Sequence, residues 1–136
     1  ELFIARDHLG IKPLYYLFDD EKLIFSSEIK AFWEYKGVEK KIDENSLTEF
    51  LLNGFLYEPD TGFEKIKKVP PGCFIRINKK GKCIKERYWN ISIEEKKIKN
   101  PLNYFKNKIK DSILRHLVSD VPVGLFFSGG VDSTLI

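Results

Sequence analysis

The residues best suited to chemistry form the run Ser-Gly-Gly-Val-Asp-Ser at positions 128–133. The continuously apolar segment 121–127 before it predicts a strand buried on both faces. Adjacent glycines permit backbone angles that other residues resist, and a helix that begins after them directs unpaired N–H groups back at the turn. Because the amino end of a helix attracts anions, this run predicts a phosphate-binding turn.

Side chains in the same run can add ligands to such a turn. The hydroxyl groups of Ser128, Ser133 and Thr134 can donate hydrogen bonds to phosphate oxygens. Asp132 would place a negative charge where a phosphate lies. Either a cation such as Mg²⁺ bridges the two, or Asp132 caps the following helix. Asp132 is therefore the candidate metal ligand.

Two common glycine-rich phosphate loops match this run less well. The phosphate loop of kinases and GTPases requires a lysine after its last glycine, and none follows Gly130. The dinucleotide fingerprint needs three spaced glycines, whereas this run has an adjacent pair. An ordinary tight turn between a strand and a helix accounts for the glycines, but not for the serines and the aspartate directly after a buried strand.

Short apolar runs separated by turns characterise the first part of the chain. Strands are predicted over 2–5, 14–18 and 23–26. The turn at 19–22 joins the last two strands as an antiparallel pair. Apolar residues three and four apart within 26–35 predict a helix there, and a second helix should begin at Asp43 and stop at Gly54.

A hairpin is predicted in the next segment, with its turn at 78–81. That turn places Cys73 opposite Glu86 and Cys83 opposite Arg76, so the cysteines are not partners and should be free thiols. Their spacing does not match a metal site either. One face of the hairpin is predicted to carry Cys73, Ile75, Ile77 and Ile84.

The composition of the chain changes after the hairpin. The charged segment 92–101, which ends in Asn-Pro, is the predicted linker. From Leu102 to Leu117 apolar residues recur at helical spacing, with Pro101 favourable at the first helical position. A helix followed by an apolar strand, a glycine turn and a new helix predicts the start of a parallel α/β domain.

Bulk properties exclude some classes of function. The 136 residues include 23 lysines and arginines against 20 acids, and the net charge of +3 is too small to indicate a nucleic-acid partner. No apolar run is long enough to span a membrane. The chain contains no methionine, so we expect it to be a piece of a longer protein, in which a missing targeting segment is uninformative.

Several motifs resemble known sequences. The run SGGVDS at 128–133 resembles the pyrophosphate-binding loop of the ATP pyrophosphatase superfamily. ARDHLGIKPLYY at 5–16 and LIFSSEIKAF at 23–32 resemble the late part of a glutamine amidotransferase domain with an N-terminal nucleophile, and KVPPGCFIRI and RYW resemble its end. SDVPVGLFFSGGVDS at 119–133 resembles the beginning of a synthetase domain. Jointly they resemble the glutamine-hydrolysing asparagine synthetase family.

This resemblance implies the fold class and the domain organisation. An α+β tail of an amidotransferase sandwich, like that of the Ntn hydrolases, precedes the first helix, strand and loop of a parallel α/β synthetase domain. The implied boundaries are 1–91 for the amidotransferase part, 92–101 for the linker and 102–136 for the start of the synthetase domain. The chain would then be an internal fragment of a two-domain enzyme.

The resemblance also implies an activity. The full enzyme would use ATP and Mg²⁺ to convert aspartate to β-aspartyl-AMP and would amidate it with ammonia from glutamine. The implied nucleotide-binding residues are Phe127, Ser128, Gly129, Gly130, Val131, Asp132 and Ser133. A role as a core aromatic suits Phe127 equally well. The nucleophilic cysteine is expected upstream of Glu1, so no catalytic residue is expected in this chain, and neither Cys73 nor Cys83 matches it.

The implied partners are small molecules, namely glutamine, aspartate and ATP, with neither nucleic acid nor membrane. The implied location is the cytoplasm, and a homodimer of the full-length enzyme is allowed. Within the family signature Arg6-Asp7-His8-Leu9-Gly10, we interpret Arg6 and Asp7 as a charged pair that fixes a loop. His8 is interpreted as a loop residue without a catalytic partner.

Two other functions remain open at this point. The first is a related ligase of the same plan that modifies a sugar, a peptide or another carboxylate, since the residues that bind the acceptor are not in this sequence. The second is a truncated product without turnover. In either case the isolated chain should be inactive, because one helical turn after Ser133 cannot complete an anion site.

Overall fold

The computed structural model describes residues 1–19 and 22–136. It divides into two compact units, Glu1–Ser92 and Ile93–Ile136, and each is described by itself. The described part of the chain is a mixed α/β structure with small antiparallel sheets.

The first unit contains both sheets. Its elements are β1 (Leu2–Ala5), β2 (Tyr15–Phe18), β3 (Leu23–Ser26), a 3₁₀ helix (Ile29–Glu34), α1 (Glu44–Asn53), β4 (Lys67–Lys68), β5 (Cys73–Ile77) and β6 (Cys83–Arg87). Sheet A has the strand order β1-β5-β6, and sheet B has the order β3-β2-β4. The strands predicted at 2–5 and 23–26 are confirmed, and the strand predicted at 14–18 begins at Tyr15. The antiparallel pairing of β2 with β3 is also confirmed. Asp20 and Glu21, in the predicted turn between them, lie outside the described residues.

The core of this unit lies on both faces of β2, the central strand of sheet B. Tyr16 packs with Val69 and Ile75. Its neighbour Leu17 points to the other face, because side chains alternate along a strand. Leu17 packs there with two further buried residues, Phe32 and Ile66. Each such side chain contributes about 1.5–3 kcal/mol on burial, so these clusters hold the loops around sheet B in place.

Local signals explain the helices of the first unit. Asp43 caps α1 by accepting hydrogen bonds from the Asn45 N–H and the Ser46 hydroxyl, and Gly54 ends it in a left-handed conformation with φ of 76°. Both predicted ends of this helix are confirmed. The helix predicted within 26–35 is a short 3₁₀ segment that begins at Ile29. Because residues three apart eclipse each other in this geometry, Ile29 and Phe32 face the same core cluster.

The predicted register of the β5–β6 hairpin is wrong by one residue. Ile77 pairs with Cys83, and Cys73 pairs with Arg87, not with Glu86. The connection has five residues, 78–82, because Gly81 adopts φ of 77° and the Asn78 side chain accepts hydrogen bonds from the N–H groups of Lys80 and Lys82.

This shift exchanges the two faces of β6. Cys83, and not Ile84, lies on the face of Cys73 and Ile77, and these three contact the cluster around Tyr16. Cys83 therefore pairs with Ile77 and not with Arg76. Both cysteines are free thiols, as predicted, and the structure shows them half-buried.

The second unit contains α2 (Pro101–His116) and α3 (Val131–Leu135). Pro101 is at the first position of α2, and the Asn100 side chain caps it by accepting a hydrogen bond from the Asn103 N–H. Neither helix buries a residue. No helix in the described residues is long and apolar enough to cross a membrane.

The strand predicted over 121–127 is absent from the described residues of this unit. Its apolar side chains are exposed, with Val121 at 68% and Phe126 at 100%. A strand requires neighbours for its backbone N–H and C=O groups, and no described segment pairs with these residues. This structure therefore does not contain the buried strand expected here, and both described sheets are antiparallel.

Candidate functional site

The glycine-serine turn, residues 128–133, lies at the start of α3. Its shape depends on the backbone conformation of a glycine and on hydrogen bonds of hydroxyl groups. Gly129 has φ of 74°, in the left-handed region that favours glycine. Gly130 is the N-cap of α3, and its carbonyl oxygen accepts hydrogen bonds from Ser133 Oγ at 3.1 Å and Thr134 Oγ1 at 2.7 Å. Ser128 Oγ lies 3.1 Å from Ser133 Oγ. The hydroxyls predicted as ligands thus lie together in one turn.

This turn is open to solvent. Residues 127–132 are exposed, and Ser133 is half-buried. The first N–H groups of a helix have no partner within it, so those at the start of α3 remain available. Because α3 has only five residues, its dipole adds little. The turn can therefore receive an anion through backbone N–H groups and hydroxyls.

Asp132 does not cap α3, so the capping role considered for it is wrong. The N-cap is Gly130, and Asp132 lies inside the first turn of the helix. In the described residues no three His, Cys, Asp or Glu side chains converge on a metal site. Mg²⁺ commonly takes one or two carboxylates and completes its shell with phosphate oxygens and water. One exposed carboxylate beside a turn with free helix N–H groups fits that donor set.

Phe127 precedes the turn, and its side chain is 65% exposed. It is therefore not a core aromatic within this unit. Its ring is available for a planar ligand next to the turn. The residues predicted as a nucleotide site form one continuous segment, 127–133, which is exposed except for the half-buried Ser133.

Arg6 and Asp7 do not form the charged pair that the sequence predicted. The Arg6 side chain is 7% exposed, and its Nη1 lies 2.8 Å from a carboxylate oxygen of Glu58. Its guanidinium also donates hydrogen bonds to carbonyl oxygens of Gly10, Lys12 and Val69. The acidic partner of Arg6 lies far along the chain, where no local sequence pattern marks it. The prediction that Arg6 fixes the loop is correct, but the partner was wrong.

Asp7 fixes the same loop from the other side. Its carboxylate accepts hydrogen bonds from the N–H groups of Lys12, Ile11 and Leu9. The hydrogen bond from the Lys12 N–H lowers the pKa of the Asp7 carboxyl most, and those from Ile11 and Leu9 lower it further. The pKa therefore lies below its usual range, although partial desolvation opposes this effect. The loop is therefore closed by ionised side chains that bond to its own backbone.

His8 contacts aromatic residues at the end of the first unit. Its ring stacks on Trp89 at 4.9 Å between centroids and lies 5.6 Å from the ring of Tyr88. The Tyr88 hydroxyl donates a 2.6 Å hydrogen bond to the Arg6 carbonyl oxygen. The Gly72 carbonyl oxygen accepts hydrogen bonds from the N–H groups of Tyr88 and Trp89 at the same place. The sequence patterns did not single out Tyr88 or Gly72, although both lie in motifs that carry the family resemblance.

Comparison with known proteins decides the family. A family model described as a glutamine amidotransferase domain matches residues 1–89. The chain belongs to this amidotransferase family. A second model, described as asparagine synthase, matches residues 105–136 and includes the glycine-serine turn. The predicted resemblance to glutamine-hydrolysing asparagine synthetases is confirmed.

Curated relatives of this amidotransferase-family chain carry related names. It is 37% identical over 138 residues to asparagine synthetase (glutamine-hydrolyzing) 3 of Bacillus subtilis, covering 99% of the chain and 22% of that protein. Asparagine synthetase (glutamine-hydrolyzing) 1 of the same organism is 36% identical over 140 residues, with the same two shares. Amidase chry2 of Gibberella zeae is 29% identical over the whole chain and 21% of that protein. The chain thus spans about a fifth of these relatives' lengths.

Proposed function

We propose that this chain is part of a glutamine-hydrolysing asparagine synthetase. One observation supports this most directly: an amidotransferase match at 1–89 is followed on the same chain by an asparagine synthase match at 105–136. The enzyme would release ammonia from glutamine and use it to amidate aspartate that ATP has activated. Both half-reactions are then served by one polypeptide.

The domain boundaries follow the same division. We propose that 1–91 is the carboxyl part of the amidotransferase domain, that 92–101 is a linker and that 102–136 begins the synthetase domain. The division of the chain into units after Ser92 supports this, as does the lack of helix or strand over 88–100 in the described residues. In the full enzyme the antiparallel sheets would belong to an Ntn-type sandwich, and 121–127 would join a parallel sheet.

The proposed chemistry explains why ATP is needed. A carboxylate is a poor electrophile, and its oxygen is a poor leaving group. Adenylation of the aspartate side chain provides a good leaving group, so ammonia can displace AMP. The displaced pyrophosphate gathers negative charge, and a turn of backbone N–H groups and hydroxyls stabilises that charge as it develops.

Within this chain, the glycine-serine turn would carry that role. The Ser128 and Ser133 hydroxyls, 3.1 Å apart, would donate to phosphate oxygens once the Ser133 hydroxyl hydrogen turns from the Gly130 carbonyl oxygen, and Gly129 and Gly130 would let the backbone approach closely. Asp132 would hold Mg²⁺, which neutralises phosphate charge when bound. Phe127, with an exposed ring, would contact the nucleotide.

The test is product analysis with the full-length protein. Supplied with aspartate, glutamine and ATP, it should form asparagine, AMP and pyrophosphate in equal amounts. The similarity to Amidase chry2 supports a second candidate, a related ligase that acts on another carboxylate. Glutamine hydrolysis without asparagine formation, together with AMP release when a different carboxylate is supplied, would favour that candidate.

A further inference from the structure

The last turn of α1 contains the one Asn-Gly pair of the sequence, Asn53-Gly54. Asn53 is the final residue of the helix, and Gly54 is its C-cap, with φ of 76° and ψ of 1°. Both residues are exposed, and a Cβ atom built at Gly54 would meet no other atom within 4 Å. Water therefore reaches the peptide bond between them from the open side of the glycine.

An asparagine that precedes a glycine can react with the protein backbone. The Gly54 nitrogen attacks the side-chain carbonyl carbon of Asn53, and a new C–N bond forms. The C–N bond of the side-chain amide breaks, and the amide group leaves as ammonia with the proton that the Gly54 nitrogen loses by way of water. Water then opens the cyclic imide to an aspartate or an isoaspartate. Glycine favours this ring closure because it has no side chain to hinder the approach.

In the folded chain the last turn of α1 holds both reacting groups. The Gly54 N–H donates a hydrogen bond to the Phe50 carbonyl oxygen at 2.8 Å. The Asn53 side-chain amide donates to the Glu49 carbonyl oxygen at 3.1 Å. The nitrogen that attacks thus keeps its proton directed at a carbonyl oxygen, and the amide that leaves is bonded to the preceding turn. Ring closure requires that these two hydrogen bonds open together.

We propose that Asn53 is a deamidation site that the last turn of α1 protects and that fraying of this turn exposes. Helix ends open at a lower free energy than a packed core does. The buried residue of α1 is the small Ser46, and Leu51 and Leu52 near its end are 75% and 79% exposed. Little apolar packing therefore resists the opening of this turn.

The product of deamidation does not fit the place that the asparagine occupies. A carboxylate cannot donate the hydrogen bond to the Glu49 carbonyl oxygen, and a negative charge is unfavourable at the carboxyl end of a helix. The Glu49 carboxylate also accepts a hydrogen bond from the Tyr57 N–H at 3.3 Å, so a second carboxylate beside it repels the group that holds this segment. Deamidation therefore loosens the end of α1 and the residues up to Tyr57.

The experiment incubates the full-length protein at neutral pH in native buffer and, separately, in enough urea to unfold it. Mass spectrometry then follows the peptide that contains Asn53. Because two hydrogen bonds must open together, conversion in native buffer should be slower than in urea by about fivefold to a hundredfold. Asn90, which precedes Ile91, is the internal reference and should convert more slowly than Asn53 in urea. Equal rates for Asn53 in the two buffers, or faster conversion of Asn90 in urea, would overturn the proposal.

Matched variants test whether the helix is what protects the site. Asp43→Ala removes the N-cap of α1 and leaves Asn53 and Gly54 in place. Because a helix of ten residues opens cooperatively, this variant should convert about fivefold faster in native buffer and at the wild-type rate in urea. Asp111→Ala, at an exposed position of α2, is the control and should change neither rate. Conversion of Asp43→Ala at the wild-type rate in native buffer would mean that α1 does not protect Asn53.

Asn53→Asp tests the structural consequence, because it introduces the carboxylate of the product. The Gly54 and Tyr57 amides of this variant should exchange hydrogen faster than those of the wild type. The amides of α2 serve as the reference and should exchange at the wild-type rate. Unchanged exchange at Gly54 and Tyr57 would overturn the inference that deamidation loosens the end of α1. None of these measurements depends on the proposed function.

Discussion

The loop from Arg6 to Lys12 and the turn from Ser128 to Ser133 differ in where their hydrogen-bonding groups go. In the first, a buried guanidinium and a carboxylate bond to carbonyl and N–H groups of the protein itself. In the second, hydroxyls bond to each other and to one carbonyl oxygen in a segment exposed to solvent. Both are signature motifs of the family resemblance, yet the first uses its buried guanidinium and its carboxylate within the protein, whereas the second has the first N–H groups of a helix at the surface.

Two motifs of the same family resemblance can therefore differ in what their polar groups bind. A motif whose buried polar groups are satisfied within the protein fixes a fold. A motif with glycines, hydroxyls and free helix N–H groups at the surface can receive an anion. Substitutions in the first loop should therefore affect the free energy of unfolding, and substitutions in the second should affect nucleotide binding.

The largest expected effect is that of Arg6→Ala. It leaves three carbonyl oxygens without the Arg6 donor and leaves Glu58 with only Lys68, 3.9 Å away, as a cationic partner. Breaking a buried ion pair costs about 3–5 kcal/mol. Denaturant unfolding of the full-length protein should report this loss. The control Arg76→Ala removes a 47% exposed arginine that lies 3.7 Å from Glu1 and should cost about 0–1 kcal/mol. Equal losses in the two variants would contradict a special role for Arg6.

Gly72→Ala should be the next most damaging change. Gly72 and Gly81 both have positive φ, 62° and 77°, and alanine in that conformation costs about 1–2 kcal/mol. The added Cβ at Gly72 would lie 2.5 Å from the Trp89 carbonyl oxygen, whereas at Gly81 no atom lies within 4 Å of it. Gly72→Ala should therefore cost roughly 1–3 kcal/mol more than Gly81→Ala. A thermal unfolding series that ranks Gly81→Ala lower in stability would show that the close approach is not important.

Ser133→Ala should separate the two motifs most clearly. Loss of one hydroxyl donor to phosphate costs about 1 kcal/mol, so KM for ATP should rise about fivefold. The free energy of unfolding should stay within about 0.5 kcal/mol of wild type. Ser112→Ala, on exposed α2, is the control and should change neither quantity. Destabilisation by Ser133→Ala without a change in KM would mean that the turn is structural.

The smallest expected effect is a pH dependence from Asp7. Its carboxyl pKa is lower in the folded protein than its usual 3.8, so the folded state prefers the ionised form. The stability this provides is complete above the usual pKa and is lost as pH falls through 3.8 toward the folded value. Asp7→Asn should therefore destabilise the protein near neutral pH, and the difference should shrink in acid. A difference that is constant from pH 7 to pH 3 would contradict this assignment.

Local patterns in the sequence predicted most of the fold. The strands near the start, both ends of α1 and the proline at the start of α2 follow from nearby residues alone. The register of the hairpin could not be predicted in this way. Its five-residue connection depends on the left-handed conformation of Gly81 together with the hydrogen bonds of the Asn78 side chain. A one-residue difference in loop length exchanged Ile84 for Cys83 on the core face.

The features that the sequence did not predict depend on contacts between residues far apart in the chain. Glu58 is fifty-two positions from Arg6, so the sequence offered Asp7, the nearest acid, as the partner instead. The apolar composition of segment 121–127 predicts a strand, but a strand also needs neighbouring segments that hydrogen-bond to its backbone N–H and C=O groups. The glycine-serine turn was predictable because its chemistry lies in consecutive residues. Its role in nucleotide binding remains a prediction.

The Gly72 carbonyl oxygen has a practical consequence for protein engineering. Sheet A ends at Arg87, which makes that residue a tempting place to join halves of related enzymes into a chimaera. A junction there would discard the native donors to Gly72 and the ring beneath His8. Chimaeras that keep the native chain through Trp89 retain these contacts, so a recombination point should be chosen after that tryptophan.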